Sequence, residues 1–263
     1  MTQAGAVRVG TSGYSFKDWI GPFYPAATRP ERQLEYYAGV FDCLEVNVTY
    51  YRVPDARLLA GMERRTPPGF ALVVKLHGDI THRRSRDPAV DAAFHAAVQP
   101  LRDAGKMHGL LAQFPFGFRN TADNRAFVAG LRERFPDDDV FVEFRRDEWA
   151  TPPVFHFLRG LRLGWVSVDE PALPGLVPPL AVATTDVAYV RLHGRNARDW
   201  YAGTGGGGDR YDYSYTEPEL REWAAKVKQL AHDRRQTFVF FNNCHGGQAP
   251  ANARTFQGLL ALE

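Results

Sequence analysis

The chain has 263 residues, 32 Lys and Arg against 30 Asp and Glu, and two cysteines. Hydrophobic residues make up 44% and charged residues 24%, a globular composition able to bury a sizeable core, which excludes general disorder. The net charge of +2 gives no sign of a dedicated nucleic-acid binder, no apolar run approaches the ~18 residues of a membrane span, and the wide separation of Cys43 and Cys244 argues against a disulfide scaffold or zinc ribbon.

In chain order, β-rich runs occupy residues 7–13, 43–51, 71–78, 109–115, 140–146, 164–170, 187–194 and 237–243. Most are nearly continuous apolar stretches that end in polar residues, as strands of a buried parallel sheet do. Between them the apolar residues adopt a helical period. Val90, Ala93, Phe94, Ala97, Val98 and Leu101 form one stripe, and Leu220, Trp223, Ala224, Val227, Leu230 and Ala231 form another. Thr121 marks a helix start, Thr216 with Glu219 reads as a capping box, and Pro100 is expected to kink or break its helix. The proline-rich stretch 171–185 offers no good helix, and 203–209 is low-complexity glycine. Eight strands with intervening helices predict an α/β fold, a TIM-type (β/α)8 barrel irregular around the sixth helix, with an open doubly wound sheet as the alternative. These units use nearly the whole chain, so 1–263 reads as one domain. The opening MTQAGAVRVG lacks a basic region followed by a long apolar segment, so no signal peptide is expected and a reduced, cytoplasmic setting is the default.

In such a barrel the C-terminal strand ends build the active site. Here they carry Glu45 and Asn47, Lys75 and His77, Gln113, Glu143 and Arg145, Asp169, Arg191 and His193, and Asn242 and Asn243. Residues two apart on a strand share a side. Charges so placed inside apolar strands are costly to bury unless they are paired. A salt-bridge layer that closes the barrel top would explain any one of them, but explains poorly why polar residues gather at the same end of so many strands. Lys75 is the sharpest case. It is one of five lysines beside 27 arginines, a ratio that compositional bias explains, and it stands among valines and leucines. A buried lysine can serve as a base or an imine-forming nucleophile, or it can simply pair with Glu45 or Glu143.

The blocks GTSGY (10–14), FYP (23–25), LEVNVTYYRVP (44–54), ITH (80–82), LLAQFP (110–115), VEFR (142–145), YVRLHGRN (189–196) and FFNNCHGGQAPANA (240–253) resemble, in order, the signatures of the YecE-like family, domain of unknown function 72. The resemblance implies a TIM-type barrel and brings no established reaction. CHGG after FFNN and the glycine run 203–209 depart from the family pattern.

Anion recognition is the reading the residues favour. Lys75, Arg145, Arg191 and Arg195 would converge on one mouth with His77 and His193, since arginine forks match carboxylate and phosphate oxygens. Gly246 and Gly247, ahead of a helix starting near Gln248, would add a backbone anion site, or simply make a tight turn. Glu45, Lys75, Glu143 and His193 are the expected catalytic, proton-transferring groups. Asn47, His77, Gln113, Arg145, Asp169, Arg191, Arg195, Asn243, Gly246 and Gly247 are the expected substrate-binding residues. No cofactor is predicted. A divalent metal on His193, Glu45, Glu143 and Asp169, as in a metal-dependent hydrolase or isomerase, is a second reading, against which the neighbouring cations count. A non-catalytic nucleic-acid-binding module, using arginines and the tyrosines of loop 197–215, is a third. That loop reads either as a lid over the mouth or as an exposed flexible insert whose tyrosines pack on the rim. Cys43 is expected as core filler, and Cys244 as at most a weak thiol nucleophile.

Overall fold

A computed structural model describes residues 5–51, 56–201 and 209–262. Among these residues eight strands form one parallel sheet: β1 (Ala6–Thr11), β2 (Cys43–Val46), β3 (Ala71–Lys75), β4 (Met107–Gln113), β5 (Val140–Glu143), β6 (Gly164–Asp169), β7 (Val187–Leu192) and β8 (Gln236–Phe241). The hydrogen-bonded order runs β1-β8-β7-β6-β5-β4-β3-β2, a nearly closed barrel of the TIM type. The helices in order are α1 (Gln33–Ala38), α2 (Val48–Tyr51), α3 (Ala56–Arg64), α4 (Gly78–Thr81), α5 (Pro88–Asp103), α6 (Ala122–Arg134), α7 (Pro152–Gly160), α8 (Glu217–Ala231) and α9 (Gln248–Ala261). No helix among the described residues is long and apolar enough to cross a membrane.

The local signals act as their chemistry dictates. The Thr121 hydroxyl accepts from the Asn124 N–H at the start of α6, and Thr216 with Glu219 makes the capping box of α8. No helix fills the β6–β7 crossover. Its extended chain is instead held by side chains of β6 and its own threonine: Ser167 Oγ accepts from the Val182 N–H, and Thr184 Oγ1 accepts from the Trp165 N–H and donates to the Leu163 carbonyl. The expected break at Pro100 does not occur. Helix α5 continues to Asp103 because the proline stands in its last turn, where only the bond to Ala96 is lost, and Leu101 beyond it is fully buried. The second β-run also ends early. Residues 48–51 form α2, whose Thr49 hydroxyl donates to the Lys75 carbonyl at 2.5 Å and ties this turn to the end of β3.

The barrel interior is aromatic below and charged above. Phe141, Tyr189, Phe238 and Phe240 form a cluster, with Phe141 and Tyr189 centroids 4.8 Å apart. Gly109 and Gly164 flank Phe141, and a Cβ on either would come within 2.5 Å of its ring. Two residues further along their strands stand Glu143 and Arg191, so the same alternation that aims the rings inward aims these charges into the top layer.

The seam falls between β1 and β2. There the strands share one bridge, Ser12 with Glu45, and the gap is filled by the buried Tyr37 of α1. Its hydroxyl accepts from the Thr11 N–H at 2.8 Å and donates to the Cys43 carbonyl at 3.1 Å, standing in for a ladder hydrogen bond. Gly10 permits this approach, since a Cβ there would lie 2.4 Å from the Cys43 carbonyl oxygen and 3.0 Å from the Tyr37 hydroxyl. Tyr37→Phe leaves both backbone groups buried without a partner, and should lower the unfolding free energy by about 1–3 kcal/mol. Denaturant titration of the two proteins measures this; equal midpoints would show that the seam does not depend on the hydroxyl.

Candidate functional site

A cavity of about 660 Å³ opens at the C-terminal mouth of the barrel. This size suits a small-molecule site. Of the expected site residues, Glu45, Asn47, Lys75, Gln113, Arg145 and Arg191 line it. Tyr14, Phe16, Val48, Tyr50, Leu58 and Met62 supply much of the wall.

Arg191 organises the floor. Its Nε and Nη2 donate to the two Glu45 oxygens at 2.9 and 2.7 Å, and its Nη1 donates to Glu143 at 2.5 Å. The Tyr189 hydroxyl also donates to Glu45, at 2.7 Å. Arg145 binds Glu143 at 2.7 Å and Glu170 at 3.4 Å. All three carboxylates are buried. Burial alone would raise the Glu143 carboxyl, but the guanidinium groups of Arg145 and Arg191 outweigh it and hold Glu143 well below the usual carboxylate range. Burial wins at Glu170, which is pushed up to about 7 against the pull of Arg145. Glu45 and Glu143 are thus both engaged by guanidinium partners, and Glu143 is held as a poor proton acceptor.

His193 is fully buried behind this layer and does not line the cavity. Burial, with the charge of Arg145, holds its imidazole at about 3. Its Nδ1 lies 3.0 Å from the Asn242 amide nitrogen, and its Nε2 lies 3.4 Å from Glu143. An Nδ1 that accepts from Asn242 places the proton on Nε2, facing Glu143. The residue is a neutral spacer in the network, where the sequence had pointed to a proton donor.

Lys75 differs from all of these. Its Nζ donates to Gln113 Oε1 at 2.8 Å and stands 4.4 Å over the Tyr50 ring. The amide orientation of Gln113 is set by its own donation to the Phe114 carbonyl at 2.7 Å. No carboxylate among the described residues lies within ion-pair distance of Lys75, so the expected pairing with Glu45 or Glu143 is not made. Burial, then the charge of Arg191, bring its ammonium down to about 8 despite the opposing pull of Glu143 and Glu45. His82 stands at the same place, its ring 4.9 Å from that of Tyr50 and lowered to about 4 by burial and by Lys75.

The remaining expected residues are placed elsewhere. Asp169 accepts two bonds from Arg195 at 2.9 Å and one from the Tyr215 hydroxyl at 2.7 Å. Arg195 continues to Glu219 and Glu222, so this pair fastens the ends of β6 and β7 to α8. Asn243 donates to the Tyr213 carbonyl and to Asn252, and His77 caps α4. The Gly246 N–H donates to Asp18 at 2.6 Å, and a Cβ on Gly247 would meet Pro22 at 2.8 Å; these glycines close a turn already filled by a carboxylate. The four proposed metal ligands are split between the two networks, and no cluster of three or more candidate ligands occurs among the described residues. Burial raises the Cys244 thiol, and Cys43 is core. Of loop 197–215, residues 202–208 lie outside the described residues; Tyr211 lines the cavity and Trp200 is buried beside it. The sequence reading missed Tyr50, hidden in a run taken for strand, and Glu170, one residue beyond the expected Asp169. It also missed Tyr189, which the period of two had marked through Arg191.

A nearly closed parallel barrel with its charged layer and cavity at the C-terminal mouth places the molecule among the α/β proteins of TIM type. The chain belongs to the family described as protein of unknown function DUF72, which it matches over residues 8–263. It is 30% identical to the UPF0759 protein YunF of Bacillus subtilis over 274 residues, covering 98% of this chain and 95% of that one. A crystal structure of a DUF72 family protein from Thermotoga maritima superposes with a TM-score of 0.89 at 40% identity, covering 97% of this chain and 99% of that one. A DUF72 family protein from Enterococcus faecalis gives 0.87 at 27%, covering 98% and 96%.

Two tests follow from the network. Arg191→Met removes the guanidinium partner of the buried Glu45 and one of the two of Glu143, and should cost about 3–5 kcal/mol, with part recovered when Glu45→Gln is added; thermal melts of the single and double variants measure this. The second concerns His193, whose folded value of about 3 lies below the ordinary 6.5. The unfolded chain therefore takes the proton first, and this residue withdraws stability as pH falls below the ordinary value. His193→Gln should gain on the parent as pH is lowered from 7 to 5, at a limiting slope of about 1.4 kcal/mol per pH unit. Parallel denaturation curves with a pH-independent difference would contradict it.

Proposed function

We propose that the mouth cavity is the active site of an enzyme acting on a small anionic molecule, carboxylated or phosphorylated, with Lys75 as the group that meets it and transfers protons. One observation carries the reading. On the floor, Arg191 and Arg145 are paired with Glu45 and Glu143, Glu170 is pushed up to about 7, and among the described residues Lys75 meets an amide oxygen and a ring face. Lys75, when protonated, therefore has no carboxylate partner of its own among the described residues, and a bound anion would supply one. A group at about 8 also serves as an acid or base near neutral pH. The acid/base role expected for Glu45, Glu143 and His193 passes to Lys75, and theirs becomes the positioning of the floor.

Lys75 should also weigh on stability. A lysine whose folded value lies below the ordinary one favours the unfolded chain at pH 7, and the penalty fades as pH rises through about 8 toward the ordinary value. Lys75→Met should raise Tm at pH 7, by about 2–4 °C for each kcal/mol relieved. It should also abolish thermal stabilisation by phosphorylated and carboxylated metabolites, which in the parent should weaken as pH passes 8. A broad panel that leaves the parent unshifted, or shifts the variant equally, would overturn the reading.

A further inference from the structure

We infer that Lys75 is an imine-forming lysine, and that the small anionic substrate carries an aldehyde or ketone carbonyl; this rests on the reading of the mouth as an active site. The geometry of the amine is the ground for it. A protonated lysine offers three N–H donors and no lone pair, whereas the neutral amine offers two donors and one lone pair. Among the described residues Lys75 Nζ meets the Gln113 Oε1 at 2.8 Å and the π-face of Tyr50 at 4.4 Å, the second of which attracts an ammonium. Neither bears a charge. Gln113 is held with its oxygen, not its nitrogen, toward Lys75 by the bond to the Phe114 carbonyl. The amine therefore stands at the cavity wall with no carboxylate among the described residues to hold it as an ammonium, open to a bound carbonyl.

Burial is the main influence against a charged amine here, and the surrounding charges are mixed. Arg191 and Arg145 stand close enough to disfavour a third cation, while the carboxylates that would favour it, Glu45 and Glu143, are occupied by those guanidinium groups. His82, the other titratable ring beside Lys75, is neutral. A lysine desolvated and set next to other cations is the arrangement that activates an amine toward carbonyl carbon. Tyr50 is brought over the amine by α2, which the Thr49 hydroxyl ties to the Lys75 carbonyl, so the cover and the nucleophile are fixed to each other.

The step balances without a redox partner. The neutral Nζ adds to the carbonyl carbon as the C=O π pair moves to oxygen, and a proton passes from nitrogen to oxygen to give a carbinolamine. A proton taken from water or solvent acid onto that hydroxyl lets it leave as water while the nitrogen lone pair forms the C=N bond. Amine, carbonyl and one proton thus give a protonated imine and water, and its charge stands beside any carboxylate or phosphate of the bound molecule.

The test uses the full chain incubated with glyoxylate, pyruvate or uncharged propanal, reduced with sodium borohydride and mapped by peptide mass spectrometry. Lys17, Lys106, Lys226 and Lys228 serve as internal controls. The expected result is a reduced adduct at Lys75 at about tenfold or more the level at any other lysine, greater for the two oxo acids than for propanal. Lys75→Arg, which keeps the charge but cannot form an imine, should lose the adduct at that position and keep stabilisation by oxalate and inorganic phosphate. Labelling of Lys75 no greater than that of the other lysines, with all three carbonyls, overturns the inference whatever the anions do. An adduct at Lys75 that forms equally with propanal, together with no stabilisation by oxalate or phosphate, supports the imine and removes the anion reading.

Discussion

The structure of the mouth depends on the two-sided engagement of Arg191. One guanidinium spans the barrel, holding Glu45 on β2 with two of its nitrogens and Glu143 on β5 with the third. Removing two carboxylates from water is unfavourable, and only a partner with several donors in a fixed plane compensates both at once. With those carboxylates committed, Arg145 completes the valence of Glu143, His193 stays neutral behind it, and Lys75 is left without an ionic partner. The distinctive state of Lys75 is therefore a consequence of where Arg191 points.

This ordering explains why most candidate residues act on one another and few act on the cavity. Two networks share the top of the barrel. One, around Arg191, forms the floor. The other joins Asp169, Arg195, Tyr215 and Glu219 and fastens strand ends to α8. Both consist of charged residues at C-terminal strand ends, and only three-dimensional placement separates the one that faces the cavity from the one that faces a helix.

The barrel was legible because its strands are continuous apolar runs and its helices carry stripes and caps. The strand-end charges were legible because a period of two within apolar sequence is visible without coordinates. Pairing was not: Glu45 and Glu143 are far apart in sequence, and nothing local shows that one arginine serves both. Tyr50 was hidden because VTYY is β-favouring by composition, yet tertiary contacts through Thr49 turn it into α2. Gly246 and Gly247 read as an anion nest because the competing carboxylate, Asp18, lies more than two hundred residues earlier. Pro100 was judged by its type; its place in the last helical turn decided the outcome.

The seam beside Tyr37 bears on how the chain comes together. β1 precedes every other strand, yet its ladder is with β8, where Ala6 faces Gln236 and Thr11 faces Phe241. Its neighbour in sequence, β2, offers one bridge and a tyrosine hydroxyl. The pairing of strands that lie furthest apart in the chain is thus the one that gives β1 its ladder, and contacts of such range are the slow ones to form. Without β1 the sheet from β2 to β8 keeps both of its edges open, so the barrel owes its near-closure to that pairing and to the tyrosine at the seam.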